Sequence, residues 1–276
     1  MKSSISRILS NAGLFIFALS ILVPLIWVLF SSIKGGNEIL GSPWSLPTTP
    51  HWSNYTNAWK EAGIGRAFFN SLEVTVSTLV ILLPASAMAA YVLARYPFPG
   101  SKIVFGTFLG GMMFPNFLVI IPLFFLVRTL GVLDTKTGLT LVYTAYSLSF
   151  TIFVLTGFFQ TLPGELAEAA MMDGCGHTRT FWRIMLPLAR PGLLVVAVFN
   201  AIGLWNEYGL ALVLLPSDEN QTLSLGLANL TTTQQYQSDW GALFAGLVIV
   251  MAPMLLVYWI FRNRIHDTML AGAVKG

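Results

Sequence analysis

Six stretches of this chain stay apolar for about as long as a helix needs to cross the hydrocarbon core of a bilayer, roughly 20 residues. They are residues 11–33, 67–93, 103–127, 138–160, 188–215 and 241–261. Backbone N–H and C=O groups have no water to bond in lipid, so spans of this kind fold as helices. The expected fold is therefore all-α: a polytopic membrane protein with six transmembrane helices, organised as one transmembrane domain over residues 1–276. Only 10% of the residues are charged, against about 25% in a typical soluble domain, which agrees with that class. Pro24, Pro84, Pro115, Pro122 and Pro253 fall inside the spans and predict bent helices rather than a straight bundle. The first run follows a basic N-terminus and has spanning length with no small-residue cleavage site after it, so it reads as a membrane helix rather than a signal peptide. A single cysteine, Cys175, excludes an intrachain disulfide.

Six spans place both termini on one side, and the Lys/Arg distribution sets which side. The N-terminus, the 94–102 loop, the 161–191 loop and the C-terminal tail carry ten basic residues: Lys2, Arg7, Arg95, Lys102, Arg179, Arg183, Arg190, Arg262, Arg264 and Lys275. The other face carries five: Lys34, Lys60, Arg66, Arg128 and Lys136. The positive-inside rule then puts the termini and the 161–191 loop in the cytoplasm, and the 34–66 and 216–240 loops outside. Loop 34–66 is rich in proline and aromatics, including Trp44, Trp52, Tyr55 and Trp59; it reads as an interfacial aromatic belt or as a docking surface. Loop 216–240 is dense in Asn, Gln, Ser and Thr and reads as an accessible hydrogen-bonding loop. The +3 net charge gives no case for nucleic acid.

Between the fourth and fifth spans lies TLPGELAEAAMMDGCGHTRTFWRIMLPLARP, residues 161–191. Its spacing predicts two short helices. Pro163 suits a first turn, and Glu165 and Glu168 set negative charge near the positive end of the first helix. Leu162, Leu166, Ala169 and Ala170 share one face at helical spacing. Gly174 and Gly176 break the run, Thr178 or Thr180 can cap a second helix through Met185, and Leu186-Pro187 ends it. A short helix with small residues on one face suits a groove on a partner; a surface loop with no partner is the blander reading.

The order Glu168-Ala169-Ala170, Asp173-Gly174, Phe181, Ile184, Leu186-Pro187 and Pro191 resembles the EAA loop of permease subunits in ATP-binding-cassette (ABC) importers. The resemblance covers nearly the whole chain. Asn70-Ser71-Leu72, Ala90-Tyr91 with Arg95 and Phe98, Trp205-Asn206-Glu207-Tyr208 and Ala271 through Gly276 look like the smaller six-span permease of carbohydrate-uptake importers. That likeness implies a multi-pass subunit of the bacterial inner membrane serving a sugar or oligosaccharide. It implies a second permease of similar fold, two ATPase subunits and an external sugar-binding protein. The loop would dock into the ATPase through Glu165, Glu168, Ala169, Ala170, Asp173, Gly174, Ile184, Leu186 and Pro187, with Glu168 and Gly174 critical. The 216–240 loop would reach the binding protein, with Asn220, Gln221, Gln234 and Gln235 as candidate contacts, and the tail from Arg262 would lie against the ATPases. No Gly-x-x-x-x-Gly-Lys-Ser/Thr occurs, and Gly36 through Ser42 lacks the lysine that reaches phosphates. ATP and magnesium are therefore expected on the partner ATPases, with no cofactor or metal on this chain.

Polar residues inside spans are expensive and mark candidate sites. Glu207 and Glu73 are the two in-span acids, and Asn200, Trp205, Asn206 and Tyr208 accompany Glu207. Each could line a substrate path. Asn200 and Asn70 could equally tie helices together, and Trp205 and Tyr208 could stack on a sugar ring or simply pack. Tyr91, Tyr143 and Tyr146 are weaker candidates. Two acids suit a neutral polyol better than a polyamine, phosphate or glycerol-phosphate ester. An intramembrane enzyme is the rival from another class. No His-Glu-x-x-His or Gly-x-Ser-x-Gly is present, and His51, His177 and His266 lie outside the spans, so no catalytic residue is assigned. A passive channel would have no use for the 161–191 loop.

Overall fold

A computed structural model describes residues 2–237 and 239–273. Among the described residues all regular structure is helical. In chain order the helices are α1 (Lys2–Ser31), α2 (Gly36–Gly41), α3 (Ser53–Thr56, extended by a π-turn at Asn57–Glu61), α4 (Ile64–Arg95), α5 (Ser101–Met113), α6 (Asn116–Thr129) and α7 (Lys136–Thr161). There follow α8 (Glu165–Met172), α9 (His177–Thr180, extended by a π-turn at Phe181–Met185), α10 (Leu186–Leu188), α11 (Arg190–Trp205), α12 (Gly209–Leu214), α13 (Leu223–Gln237) and α14 (Trp240–Ala273).

Four helices are long and apolar enough to cross a bilayer unbroken: Ser10–Ser31, Ile64–Arg95, Lys136–Thr161 and Trp240–Asn263. Pro24, Pro84 and Pro253 sit inside three of them without ending the helix. Two expected spans are divided. The third parts at Phe114-Pro115, and the two arms, Ser101–Met113 and Phe117–Thr129, meet at 106°. The cause is local. Proline disfavours helical backbone at the residue before it, and Phe114 is extended (ψ 123°), as is Pro115 (ψ 132°). Pro122 lies within α6 without such a break. The fifth span does not run unbroken over 188–215. It ends at Trp205, opens at residues 206–208 and resumes as the short α12.

The described residues fall into two compact units, one within Met1–Arg66 and Gly226–Pro253, the other within Ala67–Leu225 and Met254–Gly276. In the first, the 32–62 segment is a folded cap rather than an open loop. Lys34 is fully buried, and its ammonium donates to the carbonyls of Ser42 (3.1 Å) and Pro43 (3.1 Å) and to the Ser45 hydroxyl (3.3 Å). Asn54 donates to the carbonyls of Ser32 (3.0 Å) and Lys34 (2.8 Å). Trp27 donates its indole N–H to Pro43 O (2.8 Å) and meets Phe244 edge-on at 5.1 Å. A cation taken fully out of water is tolerated only with its protons engaged, so the three acceptors explain why a lysine can sit there. Trp44 and Trp52 remain exposed, as a belt or a docking face requires.

Among the described residues of the second unit two cores are packed. One packs Val74 of α4, Val127 of α6, Leu139, Val142 and Tyr143 of α7 against Leu204, Leu210 and Leu214. The other packs Ala87, Ala90 and Tyr91 of α4 and Leu155 and Phe159 of α7 against Ala167, Phe181, Met185, Ala189 and Val196. The second core therefore joins the ends of two spans to the 161–191 loop.

Candidate coupling loop and substrate path

α8 begins after Gly164 and carries both predicted acids in its first turn. Its buried face is Ala167 and Ala170, which corrects the expected face of Leu162, Leu166, Ala169 and Ala170. Ala169 and Leu166 turn outward, as do Glu165, Glu168 and Met172, the last 89% exposed. The helix ends in a Schellman motif: Cys175 N–H donates to Ala170 O (2.9 Å) and Gly174 N–H to Met171 O (3.0 Å). The motif needs a left-handed residue, and Gly174 supplies it at φ +81°.

The second half departs further from expectation. Gly176, not Thr178 or Thr180, occupies the capping position of α9, and Thr180 is buried. Leu186-Pro187 does not stop the chain, because Pro187 falls in the first turn of α10, where its missing N–H costs nothing. The path continues to Leu188 and then turns by 71° into α11, whose second residue is Pro191. Ile184 and Leu186 pack against the second core, and Met185 is fully buried. Glu165, Glu168, Asp173 and Gly174 are exposed. The loop thus has a fixed inner side and an open acidic edge.

Residues that sequence reasoning did not assign to the loop hold it in place. Arg95, the last residue of α4, donates to the Leu162 carbonyl. The Tyr96 hydroxyl bonds His177 Nδ1 at 2.9 Å. Tyr91 meets Phe159 edge-on (5.4 Å) and Phe181 at a tilt (5.2 Å). Helical periodicity marks Tyr91 as inward-facing, but nothing local in the sequence pairs Tyr96 with His177, 81 positions away.

The break at 206–208 brings Glu207 against Tyr143 of α7. Glu207 accepts from the Tyr143 hydroxyl (2.6 Å) and from the N–H groups of Leu210 (2.7 Å) and Ala211 (3.1 Å). Its carboxyl group therefore caps α12 and ties it to α7. Asn206 is exposed and bonds back to Ile202 O (2.8 Å). Asn200 does not share its surroundings. It is buried, donating to Thr151 Oγ1 (3.0 Å) and Val196 O (2.7 Å), so that it links α11 to α7. Trp205 is buried edge-on to Phe68 at 5.5 Å, whereas Tyr208 and Tyr146 are about half exposed. Glu73 pairs with Lys136 at the outer surface of α4 and α7. An apolar cavity of about 300 Å³, lined by residues of α6 and α7 with Leu210, lies beside this region.

Replacing Glu207 by leucine is expected to destabilise the protein by about 3 kcal/mol, since one buried hydroxyl and two N–H groups lose a strong acceptor. Thermal unfolding in detergent reads this directly. Glu207→Gln, which keeps one acceptor oxygen, should recover part of the loss, and an unchanged midpoint in Glu207→Leu would show that the break does not depend on the acid.

Of the residues expected to face an external partner, Asn220 donates to the carbonyl of Asp134 (2.7 Å), and Gln221 to Asp218 (2.7 Å). Asp134 also accepts from Ser217 and is itself left-handed at φ +58°. Gln234 and Gln235 fall on α13, their side chains lying outside the described part of the structure. Residues 274–276 also lie outside it. Among the described residues no cluster of His, Cys, Asp and Glu could hold a metal.

Four unbroken apolar helices of spanning length, two further spans that are bent or divided, and a structured polar loop are the features of a membrane permease. Residues 82–266 match the family described as binding-protein-dependent transport system inner membrane component, and the chain belongs to that family, whose members are transport-system membrane subunits, not enzymes. The chain is 45% identical to the diacetylchitobiose uptake system permease protein NgcG of Streptomyces coelicolor, over 97% of this chain and 88% of that one. It is 34% identical to the trehalose transport system permease protein SugB of Mycobacterium tuberculosis, over 92% and 93%. A crystal structure of a bacterial ABC transporter that imports the acidic polysaccharide alginate contains a chain of the same fold, with TM-score 0.81, 25% identity and coverage of 95% and 97%.

Proposed function

We propose that this chain is the smaller permease of an ATP-driven importer for a neutral disaccharide or short oligosaccharide. It forms the path with a second permease, takes its substrate from an external binding protein, and is driven by two ATPase subunits that hold the nucleotide and magnesium. The observation that carries this reading is the 161–191 loop: its inner side is built into the ends of α4 and α7, and its acidic edge is open. Such a loop can transmit a push without deforming. In this reading the termini and this loop face the cytoplasm, which the ten basic residues on that face support. The apolar surface of α1, none of whose spanning window is buried, is left for lipid or the second permease.

The sugar class rests on relatives named for diacetylchitobiose and trehalose uptake, and on a break that presents Asn206 and Tyr208, groups suited to hydroxyls and ring faces. A nucleotide-driven switch between inward- and outward-facing arrangements requires that the partner ATPase bind the two states with different affinity. Uptake of radiolabelled solutes by cells with and without the chain tests the reading. Accumulation of diacetylchitobiose or trehalose should depend on it, and spermidine, phosphate and glycerol 3-phosphate should not. Dependence of only the charged solutes would overturn the sugar assignment.

A further inference from the structure

α4 touches both loops on which the proposed transport cycle depends, although it is adjacent in sequence to neither. At one end Asn70 donates to the carbonyls of Glu219 (2.9 Å) and Gln221 (3.0 Å). One residue on, the Ser71 hydroxyl accepts from Leu223 N–H (2.7 Å). Asn70, Ser71 and Leu223 are all buried. At the other end Arg95 donates to Leu162 O, and just beyond it Tyr96 bonds His177. These two bonds hold the loop at its entry and at the start of its second helix. Between the ends α4 is continuous over Ile64–Arg95 despite Pro84. From Asn70 to Arg95 it measures about 37 Å at the α-helical rise. Val74 joins it to the first core, and Ala87, Ala90 and Tyr91 join it to the second. α7 also reaches both regions, but it runs into the 161–191 loop through the chain itself, and on the other side it is Asp134, just before its first turn, that bonds Ser217 and Asn220. α4 does so only through side chains, each removable without cutting a helix.

We propose that α4 is a rigid connecting rod between the 219–223 segment on the binding-protein side and the ATPase-facing loop, with Asn70, Ser71, Arg95 and Tyr96 as positioning residues. This rests on the reading that the two loops face those partners. In it, a displacement of the ATPase-facing loop is carried along α4 and re-seats residues 219–223. The same bonds carry a binding-protein signal inward, as thermodynamic reciprocity demands.

The test uses the chain purified with its co-expressed second permease and ATPase, in nanodiscs. A Glu219→Cys reporter in a Cys175→Ser background is labelled with a membrane-impermeant maleimide, with and without ATP and vanadate. In the parent, trapping should change the labelling rate by about fivefold, the usual scale of coupling between sites. Asn70→Ala and Tyr96→Phe should each reduce that change to under about twofold. The double variant should do no worse than the more damaging single one, because one rod is disconnected either way. Independent residues this far apart would combine multiplicatively. Multiplicative losses, or a full response in both single variants, overturn the proposal. His177→Leu removes the Tyr96 bond from the loop side and must give the same loss as Tyr96→Phe; a full response there also overturns it. A parent that recovers no ATPase, or whose reporter ignores ATP and vanadate, fails earlier and refutes the coupling reading itself.

Discussion

Placing proline at position 174 is expected to abolish uptake while the chain still inserts in the membrane. Gly174 occupies the left-handed region at φ +81°, and its N–H closes the turn by donating to Met171 O. Proline has no N–H and holds φ near −65°, so it can satisfy neither demand. The loss should be about 3 kcal/mol or more at this connection, which corresponds to about two orders of magnitude in a conformational equilibrium. The turn sits in the 161–191 loop, outside the long apolar helices, so membrane insertion does not depend on it. Gly174→Asn is the informative companion, because asparagine tolerates left-handed backbone better than other side chains and keeps the N–H. Uptake should be lost in Gly174→Pro and largely kept in Gly174→Asn. Normal transport by the proline variant would mean that the turn between α8 and α9 does not hold the coupling geometry.

Charge reversal at the neighbouring acid should be as damaging by a different route. Glu168 lies in the first turn of α8 and is exposed, so Glu168→Lys creates no clash within this chain. It also removes a favourable charge from the helix N-terminus, a loss of about 0.5 kcal/mol that cannot by itself unfold a packed loop. Its main effect must fall on a partner. Against a basic residue of the ATPase, the introduced lysine places two like charges face to face, at a cost of several kcal/mol, and uptake should drop by more than about a hundredfold. Glu168→Gln should fall between parent and lysine variant. Co-purification separates the cause, since the lysine variant should be recovered in the membrane with its ATPase depleted. Full uptake in Glu168→Lys would leave the open edge of α8 without a role in docking.

Much of the architecture is set by local chemistry and was legible in the residues. The long apolar runs impose helices because lipid offers backbone groups no other partners. Gly174 and Gly176 do punctuate the 161–191 loop as its spacing implied. The comparisons with relatives of known class agree with the resemblance carried by that loop. Other features depended on contacts between distant segments. The apolar run over 188–215 looks continuous, and only the convergence of Tyr143 with the N–H groups of Leu210 and Ala211 on Glu207 shows why it opens at 206–208. Periodicity grouped Ala169 with Ala170 on one face of α8, whereas packing against α4 and α7 selected Ala167 with Ala170. Alanine is small enough to suit either face, so periodicity does not choose between Ala167 and Ala169.

The sequence by itself determined the class of fold, the position of the polar loop between spans and the absence of a nucleotide-binding motif. Those properties follow from composition, local backbone preference and the solvent the chain must occupy. Tertiary structure alone decided where the fifth span opens, which edge of the loop stays open, and that α4 holds loops at both of its ends. These depend on hydrogen bonds between residues from about 60 to 150 positions apart, whose geometry no local pattern encodes.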